Sequence, residues 1–154
     1  MALDRGRMLR GGIAGAVAAG VWALQQPLDK RVFGGGYDDV ELMGRALLPD
    51  APRSRWYPVG LALHVQNGAL FGAVYAELIG PRLPLPRALR APLVAQVENF
   101  GLWPLGRLSD RFHPARDALP RLAGNRRALA QATWRHLLFG VVLGELERRL
   151  DAAG

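Results

Sequence analysis

Long uncharged blocks constrain this chain of 154 residues more than any other feature. Residues 11–28 and 56–76 carry no formal charge, and each block approaches the roughly 20 residues that cross a ~30 Å hydrocarbon layer. The first block is apolar or small on every helical face up to Gln25, whereas a soluble helix needs a polar face. Blocks 91–106 and 128–144 each contain one charge. The pattern predicts an all-α integral membrane bundle of about four transmembrane helices, and a soluble helical bundle that buries the same segments is the alternative.

The blocks divide a single helical membrane domain, 1–154, into two antiparallel hairpins. The proline-rich segment 80–87 predicts a tight antiparallel turn between the second and third spans. The four spans are expected near residues 11–28, 57–79, 89–106 and 126–148.

The connections contain helix-start signals. Asp38 and Glu41 have the spacing of an N-terminal capping box, and apolar residues at helical spacing follow. We therefore expect a short helix over 38–48, lying on the membrane interface. Asn125 is placed to cap the last helix. His113 precedes a proline in an arginine-rich loop and is expected to be exposed to solvent.

Glycines recur at four-residue spacing in three of the blocks. Such spacing puts both members of a pair on one helix face, where the missing side chains let two backbones approach closely in lipid. Helix packing within the chain is the predicted role. The more specific alternative is that the same faces bind a second copy of the chain or another membrane protein. The pairs are Gly11 and Gly15, Gly68 and Gly72, and Gly140 and Gly144.

A histidine precedes two of these glycine pairs. Residues 64–72 and 136–144 both read His-x-x-x-Gly-x-x-x-Gly, which indicates two related hairpins with His64 and His136 at similar depth. Two imidazoles at equal depth could ligate a haem iron, so a bis-histidine haem-binding subunit is one alternative. A packed, hydrogen-bonded histidine is the simpler interpretation, and no cofactor is predicted.

Glu98 and Arg135 are the charges within the last two blocks. A lone charge in hydrocarbon is costly, about 3 kcal/mol or more, so each should face the interior and be paired. Counted from the loop between them, both lie at similar depth, which predicts a Glu98–Arg135 pair. A polar clasp between helices is the first interpretation. A proton or ion path through Glu98, His64 and His136 is the alternative. The full predicted polar core is His64, Gln66, Asn67, Glu98, Asn99, Arg135 and His136.

Composition argues against several other functions. The net charge of +7 is spread between apolar blocks, and it forms no basic stripe with interleaved aromatics, which disfavours nucleic acid. Arginines that flank apolar blocks suit a lipid bilayer as partner. Cysteine is absent, which excludes thiol chemistry and zinc sites of the cysteine type. The glycine-rich segment 33–39 lacks the Lys-Ser/Thr of a phosphate loop. We predict neither an enzyme nor a metal site.

Three stretches of the sequence, taken in their order along the chain, resemble a known protein family. They are "HVQNGALFGAVYAELIGPRL", "APLVAQVENFGLWPLG" and "WRHLLFGVVLGELERRL". Together they resemble the YagU-like family of small bacterial inner-membrane proteins, over roughly residues 60–150, whereas "FGGGYDDVELMGR" departs from that pattern. The matching positions are His64, Tyr75, Ala76, Glu77, Pro104, Leu105, His136, Leu137, Arg148 and Arg149.

That resemblance implies a multi-span protein of the bacterial inner membrane whose family has no established reaction. Together with the glycine faces, it predicts a small membrane protein that acts as a packing or interaction unit around a polar core.

Overall fold

The computed structural model describes residues 3–153, and this part of the chain is all α-helical. The α-helices are α1 (Arg5–Phe33), α2 (Asp39–Leu47), α3 (Arg53–Val74), α4 (Arg87–Leu102), α5 (Gly106–Phe112) and α6 (Arg126–Ala153). One π-helical turn, Tyr75–Ile79, and a 3₁₀ turn, Gly80–Arg82, continue α3, and a second 3₁₀ turn, Trp103–Leu105, joins α4 to α5.

The two predicted helix caps are confirmed. Asp38 accepts a hydrogen bond from the Glu41 amide at 3.0 Å at the start of α2. Asn125 accepts one from the Ala128 amide at 3.1 Å at the start of α6. Both side chains satisfy amides that have no partner inside the helix, which is why helices begin at these positions.

The predicted transmembrane bundle and its multi-pass inner-membrane location are wrong. Within residues 3–153, no helix combines the length with the apolar content that crossing a bilayer requires. α4 has only 16 residues. The longer helices gain their length by including charged residues, such as Lys30 in α1 and Arg135 in α6. Their inner faces are mostly alanine and glycine, which carry little apolar surface.

The predicted interfacial helix exists as α2, but its apolar face packs against protein. Val40 is fully buried, and Gly44 lies against the backbone of Trp56 and Gly60 in α3. The hydrophobic spacing that indicated a surface helix therefore serves an intramolecular contact.

The four longest helices form one layer in the order α3, α1, α6, α4. α1 runs antiparallel to both of its neighbours, and α4 runs antiparallel to α6. The tight hairpin predicted between the second and third spans is wrong, because α3 and α4 make no extensive contact with each other in the described chain. Each of these helices packs instead on a neighbour with which it shares a small-residue face.

Glycines bring the backbones together at these contacts. A Cβ atom on Gly15 would collide with the Gly68 carbonyl group, and one on Gly72 would collide with that of Gly11. On the other side of the layer, Gly140 lies against the backbone of Pro92. Close backbone approach explains why buried alanines, and few large side chains, fill the core here.

Substitution at this contact should overpack it. We expect Gly15→Ala to lower the free energy of unfolding by about 1–3 kcal/mol, because the added methyl group meets backbone that cannot rotate away. Gly20 lies in the same helix, with no described atom within 4 Å of its Cβ position. Gly20→Ala should therefore raise stability by about 0.5–1 kcal/mol. Urea unfolding of both variants measures the difference, and equal effects would contradict the contact.

A candidate small-molecule cavity between α3 and α4

A cavity of about 300 Å³ occupies the space that α3 and α4 leave between them. Trp22 of α1 and Phe139 of α6 lie at its base, and Phe71 of α3 and Leu102 of α4 lie on opposite sides. Aromatic and aliphatic groups make up most of its surface. The polar groups that face it are Tyr37, Asp39, His64, Asn67, Glu98, Asn99, Ser109 and His136.

The segments after α1 and α4 cover this cavity. Asp110 in α5 accepts hydrogen bonds from the amides of Leu122 and Ala123, each at 2.8 Å, which draws the following loop back over Gly106. His113 contacts the Leu42 carbonyl at 2.9 Å and accepts a hydrogen bond from the Ala115 amide. The expectation of a solvent-exposed His113 is therefore wrong, since its ring ties the loop to α2.

A buried charge cluster lies beside the cavity, centred on Arg135. The guanidinium group donates to both carboxylate oxygens of Asp29, at 2.6 and 2.7 Å, and to Asp39 at 2.8 Å. Arg135 and Asp29 are almost fully buried. Burial alone would lower the pKa of Arg135, but the hydrogen bonds and charges of the two aspartates outweigh it and raise the pKa.

The same cluster fixes the base of the cavity. Trp22 donates its indole N–H to Asp39 at 3.1 Å, and the Tyr37 hydroxyl donates to the other oxygen of Asp39 at 2.5 Å. The centroid of the Trp22 ring lies 5.1 Å from that of His64 and 4.7 Å from that of His136. The position of the indole, and with it the arrangement of both imidazoles, therefore depends on the Arg135 cluster.

His64 carries an unused polar atom. Its side chain is 5 % exposed, and no described atom is a hydrogen-bond partner of its Nε2. Burial lowers the pKa of His64, while the charge of Asp39 and a backbone hydrogen bond with Ala19 oppose the shift. The ring is consequently neutral near pH 7.

His136 and Glu98 form a loose pair. Their Nε2 and Oε2 atoms are 3.7 Å apart, and the Nδ1 of His136 contacts the Ala132 carbonyl at 2.7 Å. Burial lowers the pKa of His136 and raises that of Glu98, the latter with help from the charge of Asp39. Both shifts favour the uncharged forms of this pair.

The structure distributes the predicted polar core as follows. Glu98 does not pair with Arg135, because Asp29 and Asp39 hold the guanidinium group, so that predicted pair is wrong. His64, His136 and Glu98 do line one cavity. Asn99 is buried at its edge and donates to Thr133 at 3.3 Å. Asn67 is an exposed side chain at the rim, and Gln66 is exposed outside it.

Asp29 and Asp39 are not among the predicted core residues. Asp29 directly follows the uncharged block 11–28, and Asp39 follows the capping residue Asp38. A signal was present in α1: its buried face runs through Gly15, Ala18, Trp22, Gln26 and Asp29 at steps of three or four residues. Extending the small-residue face by this spacing would have predicted that Asp29 is buried.

Comparisons with known proteins found no protein family, curated protein or solved structure that matches the chain. They do not test the resemblance to the YagU-like family, which stays a prediction. Within residues 3–153, no three His, Asp or Glu side chains are grouped so that they could hold a metal ion.

Removal of the central cation should destabilise the fold strongly. We expect Arg135→Met to lower the free energy of unfolding by about 3–5 kcal/mol, because two buried carboxylates lose their counter-charge. Adding Asp29→Asn to this variant should recover part of the loss. Arg148→Met, on the exposed face of the same helix, should change stability little. Chemical unfolding compares the three, and equal losses for Arg135→Met and Arg148→Met would contradict the cluster.

Stability should also depend on pH through the two histidines. Their pKa values are lowered from 6.5 in the folded chain, so the unfolded chain binds more protons as pH falls through that value. The free energy of unfolding should therefore decrease from about pH 7.5 to about pH 5.5. Glu98, whose pKa is raised from 4.5, acts in the opposite direction at the acidic end. His64→Phe should reduce this slope, and an unchanged slope would contradict the assignment.

Proposed function

We propose that the chain binds a small, mainly apolar molecule that carries an N–H or O–H donor, in the cavity between α3 and α4. The observation that carries the proposal is the unpaired Nε2 of His64, buried beside a cavity of about 300 Å³. An unpaired polar atom in an apolar site costs free energy, and a ligand that supplies the missing partner recovers it.

The size and surface of the cavity support a small organic ligand. Pockets of about 300–1,000 Å³ with mostly apolar walls and a few placed polar groups are typical of small-molecule sites. Trp22, Phe71, Trp103 and Phe139 provide aromatic surface here. The cavity exists because α3 and α4 pack on different neighbours, and so it needs no movement of the helices to form.

The tautomers of the histidines favour a donor on the ligand. The Nδ1 of His136 faces the Ala132 carbonyl oxygen, which can only accept, so a neutral ring carries its proton there. Its Nε2 is then an acceptor. The Nε2 of neutral His64 has no partner among the described residues and can accept a hydrogen bond from such a donor. The carbonyl oxygen of the Glu98 carboxyl group can also accept a hydrogen bond, whether or not the group is protonated.

Three probes that share one phenylethyl skeleton test this preference. Phenethylamine offers a charged donor, phenethyl alcohol a neutral hydroxyl group, and ethylbenzene no donor. We expect calorimetry to show the alcohol binding about three- to tenfold more tightly than ethylbenzene, the range that one net hydrogen bond supplies. His64→Phe should remove this difference while the helical circular dichroism stays unchanged.

Two further variants and one control variant complete the test. Asn67→Trp changes an exposed rim residue and should block all three probes without disturbing the core. Glu98→Gln should weaken the amine more than the alcohol, and Glu145→Gln, a surface carboxylate held by Arg148, should affect neither. If no probe binds, or if His64→Phe keeps the preference for the alcohol, the proposal is wrong.

The bis-histidine haem alternative has one observation in its favour, namely that both imidazoles line the same cavity. Ligation by His136 would require Glu98 to move away from its Nε2. Titration with haemin distinguishes the two proposals: a shifted Soret band that His64→Phe and His136→Phe both abolish supports haem, and an unshifted band supports the organic ligand.

A further inference from the structure

A second cavity, of about 180 Å³, lies near the first turns of α1 and α4 and the last turns of α6. It shares no lining residue with the cavity between α3 and α4. Its surface is mainly polar. The residues that line it are Arg7, Tyr75, Gly80, Pro81, Arg87, Arg90, Glu147 and Asp151.

Three arginines face this cavity with much of their hydrogen-bonding capacity unused. Arg87 and Arg90 have no described carboxylate within 4.0 Å, and Arg90 uses only its Nε, which donates to the Leu85 carbonyl at 2.8 Å. Arg7 lies 3.7 Å from Glu77 and 3.8 Å from Asp4, beyond normal hydrogen-bond distance. Guanidinium groups in this state recognise phosphate and carboxylate oxygens through paired N–H donors.

The two acidic residues of the cavity do not cancel this charge. Asp151 is already held by Arg10 at 3.0 Å, outside the cavity lining. Burial and the neighbouring charge of Asp151 raise the pKa of Glu147, so this carboxyl group accepts a proton more readily than a free one. The residues that line the cavity carry three formal positive charges and two formal negative charges.

The hydroxyl group of Tyr75, at the end of a side chain that is almost fully buried, is an independent sign of a ligand. Tyr75 is 3 % exposed and lines the cavity, yet its hydroxyl has no hydrogen-bond partner among the described residues. Burial and the charge of Glu147 raise the pKa of Tyr75 to about 12, so the hydroxyl stays protonated and can donate. Tyr75 begins the π-helical turn, and Gly80 leaves room for its ring, because a Cβ there would lie 3.0 Å from Tyr75 Cζ.

The start of α4 adds donors to the same place. Its N-cap, Pro86, makes no side-chain capping bond, and Arg87 and Arg90 belong to its first turn. The amides at a helix start point away from the helix and favour an anion.

We infer that this second cavity binds a tetrahedral oxyanion of the phosphate type. Arg7, Arg87 and Arg90 hold the anion, and the hydroxyl group of Tyr75 donates a hydrogen bond to it. The ligand is free phosphate, a soluble phosphomonoester, or the phosphomonoester headgroup of a lipid, since all present the same oxygens. The site acts independently of the organic-ligand cavity.

Calorimetry with inorganic phosphate tests the site directly in the full chain. Arg87→Gln and Arg90→Gln should each weaken binding by about tenfold, as expected for the loss of a charge-assisted hydrogen bond. Tyr75→Phe keeps the buried ring and should weaken binding by about threefold or more. Arg148→Gln, an exposed arginine held by Glu145, and His64→Phe, in the other cavity, are the matched controls and should leave binding unchanged.

A second experiment distinguishes a soluble phosphate ligand from a lipid headgroup. Phosphatidylcholine vesicles with and without phosphatidic acid are sedimented with the protein. Binding of inorganic phosphate supports a soluble ligand. Binding only to vesicles with phosphatidic acid, lost in Arg87→Gln, supports a lipid headgroup. Failure of both probes, or equal weakening by Arg148→Gln and Arg87→Gln, overturns the proposal.

Discussion

The bidentate contact between Arg135 and Asp29 is the interaction on which the rest of the structure depends. It joins α1 to α6 at the middle of the helical layer, and the same guanidinium group holds Asp39 at the start of α2. Three helices therefore meet at one cation. A buried charge of this kind is tolerated only when its hydrogen bonds are satisfied, so the cluster permits few alternative arrangements of these helices.

The cluster and the glycine contacts together create the first cavity. Gly15 and Gly68 bring α1 and α3 together on one side of the layer, and Gly140 brings α6 against α4 on the other. These close contacts hold α3 and α4 apart. Trp22 lies between the two features: its indole N–H is bound to Asp39, and its ring contacts both imidazoles. The arrangement of the organic-ligand site is thus a consequence of how the core packs.

The two proposed sites use opposite chemistry. The cavity between α3 and α4 has apolar walls and acceptors supplied by neutral imidazoles and Glu98, which suits a ligand that donates hydrogen bonds. The cavity near the start of α4 presents arginine and tyrosine donors, which suits an oxyanion. Since the two share no residue, substitutions at one leave the chemistry of the other intact.

The sequence by itself predicted the four longest helices and α2, two caps and the close-packing role that glycine spacing implies, but it did not predict α5. These properties depend on residues a few positions apart, and local periodicity encodes them. It also placed His64, His136 and Glu98 among the interior candidates. Only the tertiary structure decided what surrounds them. The apolar blocks expected to span a bilayer form helices that pack on one another, and within residues 3–153 none is long and apolar enough to cross a membrane. Apolar periodicity does not specify which apolar surface covers a helix face.

The partner of Arg135 shows most clearly that the sequence pattern does not specify tertiary contacts. Depth counted along the chain favoured Glu98 as the partner. The guanidinium group instead binds Asp29 and Asp39, which lie more than ninety positions from Arg135 in the sequence. Pairing of buried charges is set by helix order and rotation, and here α1, not α4, presents a carboxylate to the face of α6 that carries Arg135. Sequence predicted that this arginine needs a counter-charge, and the packing of three helices decided which one it has.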